Sequence, residues 1–128
     1  YSPGMPRRLE PDAYATKVGT RLRELRAERN MSLADLADAS ELSKGHLSSV
    51  EHGLAAITTQ TITRLAKGLD VPPLYLLTFP GDDDRDQVVE LLRKLQPRDL
   101  TKLRKELEKT VKANAKATAA KAKAASKS

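Results

Sequence analysis

Apolar residues along this chain recur at intervals of three and four, and no stretch alternates apolar with polar as a half-buried strand would. From Ala13 to Arg29 the positions Val18, Leu22, Leu25 and Arg29 fall at i, i+4, i+7 and i+11, one stripe of an amphipathic helix with the charges elsewhere. Asn30 suits the end of that helix. Ser32 is placed to cap a second helix, Leu33 to Ala39, whose Leu36 and Ala37 face inward. Ser43 caps a third, Lys44 to Glu51, with Leu47 and Val50 on its inner side, and Gly53 stops it. Thr58 or Thr59 caps a fourth, carrying Ile62, Leu65, Ala66 and Leu69 on one face. Asp70 to Pro73 breaks that helix, and Pro72 or Pro73 can sit in the first turn of a fifth short one running to Thr78, where a missing N–H costs nothing.

A second kind of pattern follows an acidic stretch, Gly81 to Asp86, which reads as a linker. Val88, Leu91, Leu92 and Leu95 form one apolar face; Pro97 then starts another helix in which Leu100, Leu103, Leu107 and Val111 make a seam about two heptads long. Two heptads are marginal alone, so residues 87–111 are expected to pack on each other, on the first domain or, the favoured reading, on a second copy as a dimer interface. From 112 to 128 only Ala, Lys, Asn, Ser and Thr remain, a low-complexity tail that cannot build a core and is expected to be disordered. Its lysines could add non-specific DNA affinity or merely solubility.

Composition narrows the function. The chain has 128 residues, room for one domain with accessory segments, and no cysteine, which removes disulfides, thiolate metal sites and a thiol nucleophile. The stretch Tyr1–Gly4 ahead of Met5 reads as a cloning remnant at the start of a flexible arm, residues 1–12, with no secretory signal. No apolar run approaches the roughly 20 residues of a membrane span, so no membrane role is expected, and the expected compartment is the cytoplasm, at the nucleoid. Gly81–Asp86 lacks the alternating ligands, central glycine and closing Glu of a calcium loop, and His46 and His52 are badly spaced for a metal on one helix, so no metal or other cofactor is expected. No nucleophile–base pair or phosphate-cradling loop is evident, which argues against an enzyme, and no small-molecule domain is visible. The formal net charge is +6, yet residues 14–80 carry eight basic against seven acidic side chains, residues 81–109 carry eight of each, and residues 110–128 hold five lysines with no acid. Net basicity therefore sits almost wholly in the tail, and any nucleic-acid claim for the folded part must rest on motif.

The motif is the short link Ser40–Ser43, which forces the second and third helices to cross steeply as in a helix-turn-helix. With VGTRLRELRAERNMSLADLA, LSKGHLSSVEHG and ITRLAKGLDV in order, Val18 to Leu77 resembles the Cro/C1-type, or xenobiotic-response-element, helix-turn-helix family. The resemblance implies an all-α, five-helix, lambda-repressor-like domain over residues 13–80, followed here by the two-helix extension and the Lys/Ala tail. It implies a transcriptional regulator that binds double-stranded DNA sequence-specifically as a homodimer, its third helix in the major groove. Base readout would then fall to Ser43, Lys44, Gly45, Ser48, Ser49 and His52, and phosphate contacts to the helix starts at Ser32 and Leu33 and at Thr58, Thr59 and Gln60. Arg26 and Glu51 match a buried ion pair of related repressors, and Val88, Leu91, Leu92, Leu95, Leu100, Leu103 and Leu107 would dimerise. Where relatives usually carry Gly, this chain has Glu41, so the backbone there either avoids positive φ or pays roughly 1 kcal/mol. The loop Gly53–Ile57 is apolar where relatives often carry Lys, Arg and Pro, leaving two other readings open: an adaptor that binds a protein partner through this loop and the C-terminal helices, and a nucleoid-associated protein that binds DNA largely through its tail.

Overall fold

A computed structural model describes residues 11–81 and 83–127. The expected cloning remnant, most of the N-terminal arm and Asp82 of the acidic stretch lie outside them. The order is α1 (Ala13–Glu28), α2 (Leu33–Ala39), α3 (Lys44–Glu51), α4 (Thr59–Leu69), a 3-10 helix (Pro73–Leu77), α5 (Asp84–Arg93) and α6 (Pro97–Ser126). The fold is all-α with a helix-turn-helix core. It divides into two compact units, one ending at Glu90 and the other beginning at Leu91.

The starts of α1 to α4 are each built by a side chain that satisfies an otherwise orphaned N–H. Asp12 accepts from the Ala15 N–H at 3.0 Å, Ser43 from His46 at 3.0 Å and Thr58 from Thr61 at 3.1 Å. At α2 the arrangement is reciprocal: Ser32 Oγ accepts from the Asp35 N–H, and Asp35 Oδ2 accepts from the Ser32 N–H. Helices end in left-handed residues, Asn30 after α1, Glu41 after α2, Gly53 after α3 and Asp70 at the end of α4. Glu41 therefore adopts the positive φ, at 57°, that a glycine would take without steric cost.

The core gathers Val18, Leu22 and Leu25 of α1, Leu36 and Ala37 of α2, Leu47 and Val50 of α3, Ile62, Leu65, Ala66 and Leu69 of α4, and Leu76 of the 3-10 helix. These are the stripes that the spacing predicts, with two differences. Arg29, expected to continue the α1 stripe, is exposed at the C-cap, because the helix ends before that turn is completed. Arg21, read as one of the outward charges, is 4% exposed. Its Nε donates to the Tyr75 carbonyl at 3.0 Å and its guanidinium pairs with Glu24 and Glu90, so three partners replace the water it has lost. The apolar loop is likewise partly core: Ala55 is buried and Ile57 packs against the cluster, leaving less apolar surface there for a partner than the sequence implied.

Three expectations about the C-terminal part change. Helix α5 starts at Asp84, inside the supposed linker, with Asp84 and Asp86 in its first turn where carboxylates favour the positive end of the helix. The fifth short helix, expected to run to Thr78, is a 3-10 helix that ends at Leu77 with Thr78 as its cap. The Lys/Ala tail is not disordered: α6 runs without a break from Pro97 to Ser126. Alanine is the best helix former and lysine a good one, so a tail too poor in apolar residues to build a core still extends a helix already nucleated upstream.

Candidate nucleic-acid interface

Helix α3 has two unlike faces. Leu47, Val50 and Glu51 are buried, whereas Ser43, Lys44, Gly45 and His52 are exposed and Ser48 and Ser49 half-buried. At about 100° per residue, Lys44, Gly45, Ser48, Ser49 and His52 occupy one arc opposite the buried set. The Ser43 hydroxyl oxygen is engaged by the His46 N–H, which leaves its O–H able to donate outward. His52 differs from the other five: it is the C-cap, and its Nδ1 lies 2.6 Å from the Ser48 carbonyl, so the ring is turned back onto its own helix. No acidic residue occupies the first turn of α3.

Gly45 is informative because of what it does not touch. A Cβ built there meets nothing within 4 Å, so neither packing nor backbone geometry requires glycine. Glycine within a helix costs roughly 0.5–1 kcal/mol relative to alanine, a cost for which the fold itself supplies no reason. By contrast Gly19 of α1 is required by the fold, since a Cβ there would stand 2.3 Å from the Glu51 carbonyl oxygen and push α1 and α3 apart.

The orientation of α3 on α1 is further held by an ion pair. Arg26 Nε donates to Glu51 Oε1 at 3.0 Å and Nη2 reaches the same carboxylate, while Nη1 donates to the Met31 carbonyl at 3.1 Å. Glu51 is 2% exposed, which makes it dependent on that guanidinium for its charge.

The two helix starts expected to hold phosphates are not equivalent. At α2 the Asp35 carboxylate occupies the positive end of the helix, and the two hydrogen bonds from Ser32 hold its pKa below the usual carboxylate range. A phosphate approaching Ser32 and Leu33 would meet that negative charge. Helix α4 carries no acid in its first turn, and Thr58, Thr59 and Gln60 are exposed, so its free N–H groups face no competing anion. Among the described residues no group of three or more His, Cys, Asp or Glu could hold a metal ion, and no helix is long and apolar enough to cross a membrane.

The residues assigned to dimerisation remain uncovered. Val88, Leu91, Leu95, Leu100 and Leu107 are exposed and Leu92 and Leu103 half-buried. Within the second unit Leu92, Leu100, Leu103 and Leu107, with Val111, line an open apolar groove of about 570 Å³. A separate cleft in the first unit, about 540 Å³ and lined by Tyr14, Val18, Ile57, Ile62 and Leu77 among others, has no counterpart in the sequence reading. Its signal was available only as Tyr14 and Leu77, large apolar residues that fall off the core stripes and are exposed.

Comparison with known proteins adds to this geometry. Residues 22–76 match the family model described as Helix-turn-helix. The chain is 37% identical to the restriction-modification controller protein C.AhdI from Aeromonas hydrophila, covering 51% of this chain and 98% of that one with a TM-score of 0.50. It is 35% identical over 85 residues to the HTH-type transcriptional regulator RamB of Mycobacterium tuberculosis, 66% of this chain and 17% of that protein. It is 38% identical over 55 residues to the HTH-type transcriptional regulator SutR of Escherichia coli, 43% of this chain and 31% of that protein. The chain thus spans less than a third of the length of these two regulators, and the residues matched by the family model lie in the first unit.

Proposed function

Because the chain belongs to the helix-turn-helix family of the Cro/C1 type, we propose that it is a sequence-specific DNA-binding transcriptional regulator, acting as a dimer on the DNA of the cytoplasmic nucleoid. Helix α3 enters the major groove, Lys44 donates to guanine acceptors, and Ser43, Ser48 and Ser49 make the adaptable contacts. The start of α4, Thr58 to Gln60, grips a phosphate and sets the register without reading sequence. Ser32 and Leu33 contribute less, since Asp35 repels the same phosphate. His52 lies at the far end of α3 and serves the edge of the site.

The observation that carries this reading is Gly45. Its missing side chain leaves space outside the fold, on the face that bears Lys44 and Ser48, where a groove wall or a thymine methyl could approach closely. Lysine lacks arginine's two-pronged fork, so discrimination by Lys44 falls at the low end of roughly 1–3 kcal/mol per contact. The test is selection of genomic fragments by the purified protein, followed by binding of the selected site to a Lys44→Ala, Ser48→Ala double variant. The variant is expected to lose site preference while remaining folded; undiminished preference would overturn the assignment of α3.

For the dimer, the Leu100–Leu103–Leu107–Val111 seam supports a second copy as its cover. Its spacing is that of a two-helix interface, and its groove is open in the single chain. Paired half-sites would then be about 34 Å apart or a multiple of that. Sedimentation of a Leu103→Lys, Leu107→Lys variant checks this, with a monomer expected. A persisting dimer would move the interface elsewhere, the Tyr14–Leu77 cleft being the next apolar surface.

A further inference from the structure

As a helix, α6 has a face that its composition does not reveal. Taking about 100° per residue, Arg98, Lys102, Lys105, Lys109, Lys112, Lys116, Lys123 and Lys127 all fall within an arc of about 80°. Ala120 is the one other residue in that arc, and no acid enters it. The eight basic residues are exposed, and among the described residues none has an ion-pair partner. The apolar seam Leu100, Leu103, Leu107, Val111 lies on the opposite side. The acids Glu106 and Glu108 flank the stripe without interrupting it, and Glu108 is taken by Arg104, itself off the stripe, at 2.6 Å.

A solvated back of a paired helix does not account for this arrangement. The seam ends at Val111, where its face continues as Asn114, Thr118, Lys121 and Ala125, yet the stripe runs about four turns further. Lysines three and four apart also repel one another and weaken the helix, so helix formation alone gives no reason to align them. A linear polyanion does. We infer that the basic stripe of α6, from Arg98 to Lys127, is a second nucleic-acid surface that lies along the phosphate backbone of duplex DNA without reading sequence. The inference rests on the proposed DNA-binding role only in its choice of polyanion. An anionic membrane is disfavoured by the chain itself: an interfacial helix needs bulky apolar residues opposite its lysines, and beyond Val111 there are none.

The experiment measures affinity of the full-length protein for a 30-base-pair duplex of random sequence across a salt series. Replacing Lys109, Lys112, Lys116 and Lys123 with alanine is expected to make the slope of log affinity against log salt shallower by about 0.9 per lost phosphate contact, so by about 3 to 4. A charge-matched variant separates stripe from bulk charge: Lys112→Ala with Ala115→Lys, Lys116→Ala with Ala122→Lys, and Lys123→Ala with Ala125→Lys. It keeps the composition and moves three lysines to other faces, and its affinity is expected to fall about tenfold at constant helicity by circular dichroism. Wild-type binding by either variant would overturn the inference, as would tighter binding to phosphatidylserine vesicles than to the duplex. The Lys44→Ala, Ser48→Ala variant should make the slope on this duplex shallower by no more than about 1, the share of its single lysine. Loss of site preference with a slope change of that size, or a slope change of about 3 to 4 with site preference kept, therefore tells the failure of one surface from the failure of the other.

Discussion

The two units of this chain solve opposite problems. In the first, thirteen residues form a continuous buried cluster, helix starts are capped, and both an arginine and a glutamate are buried with partners. In the second, α6 has no buried residue, and of its leucines Leu100 and Leu107 are exposed and Leu103 half-buried. The first has reasons within itself for nearly every residue. The second is patterned on two opposite faces, with no internal reason for either, which is what a surface shaped by its partners looks like. The difference teaches where to look for function in a helical chain: in the first unit at residues the fold does not need, such as Gly45, and in the second at the pattern itself.

The sharpest way to break this comparison is to remove one leucine from each unit. Leu47→Ala empties a fully buried position and should cost about 2–5 kcal/mol, read by urea denaturation. Leu107→Ala, half exposed in the single chain, should change that transition by no more than about 0.5 kcal/mol while raising a dimer dissociation constant about tenfold in sedimentation. Equal losses of stability would mean that the units are not different in kind. Next in size is Glu51→Gln, which leaves the Arg26 guanidinium facing a neutral amide. We expect about 2–4 kcal/mol, somewhat below the roughly 3–5 of a fully buried pair because Arg26 keeps some water, with site preference unchanged in the protein that remains folded. Gly45→Ala should act in the opposite direction on stability, adding about 0.5–1 kcal/mol in a thermal melt, and should weaken binding to the selected site. A gain in both would remove Gly45 from the interface.

The smallest effect concerns Asp35. Its carboxyl is held below the usual range by the Ser32 hydrogen bonds, so the folded state binds its proton less readily than the unfolded chain does. The capping box therefore contributes its stability fully above the unfolded value and loses it as pH falls through the depressed folded one. In melts taken from neutral to acid pH, the advantage of the wild type over Asp35→Asn should persist through the neutral range and vanish only in strong acid. A constant difference at all pH values would mean that the carboxylate charge plays no part.

Much of the first unit was legible because its signals are local. Ser32 and Ser43 mark the starts of α2 and α3, and Leu47 and Val50 mark which side of α3 is inward. Arg21 was not legible, since its burial depends on Tyr75 and Glu90, 54 and 69 positions away. Glu41 could be read only as a choice between strain and avoidance until its φ was known. The unequal merit of the α2 and α4 starts follows from Asp35, whose position three after Ser32 is visible in the sequence but whose carboxylate is seen to occupy the helix start only in the folded capping box. The tail misleads because an absence of core-forming residues is not an absence of structure: alanine needs no core to continue a helix. The stripe was hidden by counting charge along the chain, where residues 81–109 balance, when the charges are sorted around an axis instead.

That sorting makes the phase of α6 a heritable quantity. A single residue inserted after Val111 would turn every later lysine by about 100° and scatter the stripe, whereas an insertion of seven would turn it by only about 20°. Relatives that keep such a tail are thus expected to differ in its length by whole heptads more often than by single residues, so that the lengths of the tails, compared across a family, record whether the face has been under selection.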